Sequence, residues 1–161
     1  MIALAIIAAI LFCTYLVIMG TMYGIPSMMS DTFYQLEERG YLFTVLMILV
    51  SIMMLVSVLD INKGIQAFAF IGCTGLSFVG LAPNYKSQED YKVHKGGAIT
   101  SAIGCILWCL SAYPLPTLWI TFAYSQYYIW FTSIGKIGHP WYWAEVTCFI
   151  DVFITYFCIS S

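Results

Sequence analysis

Six long apolar runs, free of charge except for two acids in the last, alternate with short polar segments along this chain. The first extends from Ile2 to Met19 and closes at Gly20. Thr21 to Gly40 then gathers Gly24, Pro26, Ser27, Ser30, Asp31, Thr32, Glu37, Glu38 and Arg39, a polar loop of turn formers with room for one short helix. Tyr41 to Leu59 is closed by Asp60, Asn62, Lys63 and Gly64, a turn so short that the third run, Ile65 to Leu81, must return antiparallel beside it. Pro83 ends that run. Asn84 to Gly97 carries Lys86, Glu89, Asp90, Lys92, His94 and Lys95, and reads as a hydrated connection. Ala98 to Ala112 needs the flanking Gly96, Gly97 and Tyr113 to reach spanning length, and the Tyr113-Pro114-Leu115-Pro116 break starts the fifth run, Thr117 to Ile134. The sixth, Trp141 to Ile159, opens after Lys136, Gly138, His139 and Pro140.

Each run approaches the length of about 20 residues that crosses a hydrocarbon core as a helix. Continuous apolar runs, in place of period-two alternation, favour helices over a barrel, because in lipid every backbone amide must find its partner internally. The pattern predicts an all-α, polytopic integral membrane protein: one six-helix bundle over residues 1–161, with spans at about 2–20, 41–59, 65–82, 97–113, 117–134 and 141–159. No Lys or Arg precedes Arg39, so the first run lacks the basic start of a cleaved signal and reads as a retained helix.

Composition agrees: of 161 residues, 61% are hydrophobic and 9% charged, against about 45–50% and about 25% in soluble domains. Six spans use about 120 residues, which leaves no room for a soluble catalytic domain. The net charge of −2, with its charges in small clusters, argues against nucleic acid as a partner. Basic residues are biased to one side of a six-span topology, with Arg39, Lys86, Lys92, Lys95 and Lys136 in the odd connections and Lys63 alone in the even ones. By that count the odd connections are cytoplasmic and both ends lie outside. Aromatic residues at Tyr124, Tyr127, Tyr128, Trp130, Trp141, Tyr142 and Trp143 suit the headgroup level. Gly72, Gly75 and Gly104 offer close-packing faces, within one subunit or in a homo-oligomer.

The same topology gathers Ser30, Asp31, Thr32, His94 and His139 at one membrane face. They fit two uses: a headgroup-binding rim that also takes Glu145, with Lys92 or Lys95 meeting a phosphate, or a hydrolase or acyltransferase in which Asp31, His94 and His139 hold a metal-activated water. The plainer alternative makes Asp31 a cap for a short helix at Thr32 and both histidines solvated. Glu145 and Asp151 are the acids placed inside an apolar run, where an ionised carboxylate costs at least ~2.5 kcal/mol. Six residues on a helix turn them apart by about 240° net, so they do not form one paired site; a transporter or channel subunit would use them separately. The cysteines, Cys13, Cys73, Cys105, Cys109, Cys148 and Cys158, lie inside the runs without a C-x-x-C pair and read as packing residues. Neither a cofactor motif nor a dedicated metal site is expected.

Several short pieces occur in a telling order: Pro26-Ser27-Met28-Met29-Ser30-Asp31-Thr32, Leu42-Phe43 opening the second helix, Asn62-Lys63 in the next turn, His94-x-x-Gly97-Ala98 opening the fourth helix, and Ala144-Glu145 in the sixth. In this the chain resembles the Frag/DRAM/Sfk family of six-helix membrane proteins, over most of its length, and its outline is comparable to small bacterial and phage-borne proteins. It departs from the family in being much shorter, with a brief connection between helices four and five. The resemblance implies a lipid-associated role, such as lipid remodelling, trafficking or regulation of membrane lipid distribution, and both ends in the cytosol, the reverse of the basic-residue count; the reading favoured here is non-enzymatic, with membrane lipid as partner.

Overall fold

The computed structural model describes residues 1–133 and 138–160. Its regular elements are helical throughout: α1 (Ile2–Met22), a 3-10 turn (Met29–Asp31), α2 (Thr32–Gln35), a second 3-10 turn (Glu37–Arg39), α3 (Tyr41–Ile61), α4 (Gln66–Leu81), α5 (Gln88–Ala112), α6 (Pro114–Ser133) and α7 (Pro140–Ser160). The protein is therefore all-α. Among the described residues, four helices are long and apolar enough to cross a membrane: α1, α3 with the turn before it, α5 and α7. α4 is apolar but has 16 residues, and the 20 residues of α6 include Tyr124, Ser125, Gln126, Tyr127 and Tyr128. Ile134, the expected end of the fifth run, and Lys136 lie outside the described residues.

Apolar side chains ring these helices because their outer faces carry them too. Ile10, Val17, Leu118, Trp119 and Ile129 are all more than half exposed. A soluble monomer seldom shows such contiguous apolar surface, whereas hydrocarbon solvates it. Phe12, Phe43, Met47, Trp108 and Tyr156 fill much of the interior, and small residues let two of the helices approach closely. A Cβ on Gly104 of α5 would stand 2.5 Å from the Gly72 nitrogen of α4, and one on Gly75 would stand 2.6 Å from the Ser101 nitrogen. These glycines thus form an antiparallel seam within the chain. α3 lies between α1 and α4; α5 packs on α4, α6 and α7; α7 returns to α1 through Phe12 stacked on Phe149 at 4.2 Å.

At the end of the bundle away from residues 23–40, reversals are tight. Asn62 caps α3 in the left-handed conformation (φ 48°), Trp108 donates its indole N–H to the Lys63 carbonyl at 3.0 Å, and α6 begins on Pro114, whose missing N–H costs nothing at a first helical position. The polar stretch expected as a loop up to Gly97 is different: α5 begins at Gln88. Ser87 accepts the Asp90 N–H on its hydroxyl (3.2 Å), and Glu89 and Asp90 favour the positive end of the helix dipole. His94 therefore sits in the second turn of a helix, with Gly97 and Ser101 three and seven residues on.

Candidate ligand-binding site

α3, α4, α5 and α7 line a cavity of about 300 Å³ that is open on one side, where Ile99 and Trp141 are exposed. Val50, Met54, Leu76, Ile99, Phe149 and Phe153 form much of an apolar wall, and Met29, Ser30, Trp141 and Glu145 close one end. On α7 the lining extends from Trp141 to Phe153, about 18 Å at the helical rise of about 1.5 Å per residue. Ser51 also reaches the wall, but its hydroxyl donates to the Cys73 carbonyl at 2.5 Å.

Three segments build the polar end. The 3-10 turn after α1 supplies Ser30, the second turn of α5 supplies His94, and the second turn of α7 supplies Glu145. Ser30 Oγ lies 2.9 Å from His94 Nε2, and His94 Nδ1 lies 2.8 Å from the Ala82 carbonyl oxygen. A carbonyl can only accept, so Nδ1 carries the proton, Nε2 is the acceptor, and Ser30 donates its O–H. Glu145 Oε2 accepts the Met29 N–H at 2.6 Å, which ties α7 to the turn, and the Tyr142 N–H donates to the Ser27 carbonyl at 3.2 Å nearby. Both Ser30 and His94 are buried.

Asp31 does not cap a helix at Thr32. Its carboxylate reaches back to the Met28 N–H at 3.2 Å and accepts a hydrogen bond from the Tyr85 hydroxyl. Burial, and then the bond to Asp31, push the Tyr85 phenol above its ordinary range, so it stays a donor. Its ring packs 5.1 Å from the His94 ring. Asp31 and Glu145 lie within electrostatic reach of each other.

The structure thus brings Ser30, Asp31, His94 and Glu145 together. Thr32 is adjacent but turned away: fully buried, it donates to the Met29 carbonyl at 2.7 Å and accepts from Tyr15 at 2.6 Å, locking the turn onto α1. His94 is not a solvated interfacial histidine, because the α5 helix carries it inward; His139, at φ 56°, is exposed. Among the described residues no three His, Cys, Asp or Glu side chains could hold one metal ion, so Asp31, His94 and His139 do not form the metal centre that the hydrolase alternative requires. The lysines expected at a phosphate also lie elsewhere: Lys92 lines a groove between α4 and α5 with Phe70 and Phe78, and Lys95 Nζ is 3.4 Å from the Tyr91 hydroxyl. The helical start of α5 turns both to its outer side.

Asp151 occupies a different environment. At 4% exposure it accepts from Thr117 at 3.1 Å and Thr155 at 3.4 Å, bridging α6 and α7, and it is not on the cavity wall. Sequence reasoning missed Tyr15, Tyr85 and Tyr34, which hold the rim from outside it. Tyr34 accepts the Lys86 N–H at 2.9 Å and lies under the Lys86 ammonium at 4.0 Å. Tyrosines are common at membrane interfaces whatever they bond to, so only the fold distinguishes these from the others. No family model, curated protein or solved structure matches this chain.

Proposed function

We propose that this chain is a multi-pass membrane protein of six crossing helices that binds a lipid-like amphiphile without transforming it. The hydrocarbon chain fills the cavity, and the head meets Ser30 and Glu145, with Asp31 and His94 behind them. The observation that carries this reading is the shape of polarity in one cavity: a long apolar wall that ends at the rim cluster. Binding sites commonly combine such a wall with a few placed polar groups, and about 300 Å³ is at the small end of their range, suited to one chain. Six apolar helices of 16 to 25 residues, with tight reversals after α3 and α5, support six crossings. The resemblance to the Frag/DRAM/Sfk family favours a lipid-associated role of the same kind.

A filling substitution tests it. Ala102 lines the cavity, and Ala102→Phe is expected to abolish saturable binding of a single-chain amphiphile to the purified protein in maltoside micelles while leaving the helical circular dichroism unchanged. Equal saturable binding by the wild type and this variant would contradict the proposal.

A further inference from the structure

We infer that the head group this cavity selects is an ammonium, so that its occupant is a single-chain amphiphile with a primary amine at one end. The inference rests on the amphiphile-binding reading above and names its ligand class. It starts from proton positions at the rim. His94 Nδ1–H is committed to the Ala82 carbonyl, so Nε2 must accept, and the Ser30 hydroxyl must donate to it. What Ser30 can then offer the cavity is an oxygen lone pair. A carboxylate has about four lone-pair sites, and at Glu145 the Met29 N–H occupies one of them. The Tyr85 hydroxyl, a donor close by, is committed to Asp31. Ser30 and the ionised form of Glu145 therefore ask their ligand for hydrogen-bond donors, and a cation at this end is what favours that form.

Charge points the same way. Two carboxyl groups, Glu145 on the cavity wall and Asp31 beside it, meet at this end, and no Lys or Arg among the described residues forms an ion pair with either; the ion pair the described residues do show joins the Met1 amine to Asp60 at 3.5 Å, at the far end of the bundle. The Lys86 ammonium lies over the Tyr34 ring, Lys95 lies by Tyr91, and Lys92 faces the groove between α4 and α5. A carboxylate next to an apolar cavity in a membrane is costly until it meets a cation or a donor. An ammonium supplies three N–H donors and no acceptor, together with the missing charge. A phosphate or carboxylate head offers acceptors to acceptors and adds repulsion. A hydroxyl head can donate once, without charge. The ammonium brings two more donors than the hydroxyl and the charge that the hydroxyl lacks, so an amine should outbind the matching alcohol by about tenfold or more.

The test uses the full chain in maltoside micelles at neutral pH, with tetradecylamine, tetradecanol and tetradecanoate as probes. Binding is read by displacement of a fluorescent amphiphile. The wild type is expected to bind the amine at least about tenfold more tightly than the alcohol, with the carboxylate weakest. Glu145→Gln keeps an acceptor for the Met29 N–H and should erase most of the preference for the amine over the alcohol. Ser30→Ala should weaken the amine by a smaller factor, and it serves if the glutamine variant does not fold. Saturable binding of all three probes with no amine preference, or with the carboxylate preferred, would overturn the ammonium assignment while the cavity reading stands. Failure of all three to bind saturably, with Ala102→Phe indistinguishable from the wild type, would overturn both.

Discussion

Glu145 and Asp151 lie on one helix, six residues apart, and meet opposite fates. Asp151 is buried between Thr117 and Thr155, whose hydroxyls are donors that a buried carboxylate requires, and it lies off the cavity wall. Glu145 stands at the end of a cavity, with a backbone N–H as its hydrogen-bond donor and a second carboxylate nearby. Both obey the rule that a carboxylate in a low-dielectric setting must be satisfied. Asp151 is satisfied by its own fold and so joins α6 to α7. Glu145 is satisfied in part, and what it still lacks is the kind of group a ligand can bring.

That contrast can be broken in order of effect. Asp151→Ala strands the two threonine hydroxyls and leaves a void, and should cost about 2 kcal/mol of stability, measured by unfolding in mixed micelles, while the folded protein binds amphiphile as before. Loss of amphiphile binding at full stability would exchange the roles assigned to the two acids. His94→Ala releases Ser30 and the Ala82 carbonyl together; a loss of about 1–2 kcal/mol is expected, with faster amide hydrogen exchange over residues 28–32. Unchanged exchange there would mean that the Ser30 to His94 bond does not hold the rim. Glu145→Gln should stay within about 0.5 kcal/mol of the wild type, its effect falling on amine binding. Lys92→Ala, on the groove between α4 and α5, should alter neither stability nor amphiphile affinity; a fall in affinity would return that lysine to the site.

The chain's large-scale order was readable because its long helices are written as uninterrupted apolar runs. Tyr41 and Leu81 bound helices where the pattern placed them, and Asn62 and Pro114 mark reversals through their own backbone preferences. The start of α5 was misread for a physical reason: residues 88–97 project beyond the apolar run, and their charges belong to a capped helix end that a hydropathy pattern scores as loop. The order of runs and connections gathers Ser30, Asp31, Thr32, His94 and His139 toward one end, and the structure brings Ser30, Asp31 and His94 to Glu145 there. Their pairing was not readable. Nothing in the spacing says that Ser30 meets His94, that Asp31 turns back to Met28 and out to Tyr85, or that Thr32 faces α1, because each depends on how the segment between α1 and α3 folds over the bundle. The lysines were misplaced by treating a shared membrane face as a shared site.

Photolabelling with a primary alkylamine that carries a diazirine at its chain end tests the central claim most directly. With the head at Glu145 and the chain inside, adducts should concentrate on Met54, Cys105 and Phe153, far from the rim on the cavity wall, and should vanish in Ala102→Phe. Adducts spread over the outward Val17, Leu118 and Trp119 and indifferent to that substitution would contradict it, for the amine would then be lying in the surrounding micelle.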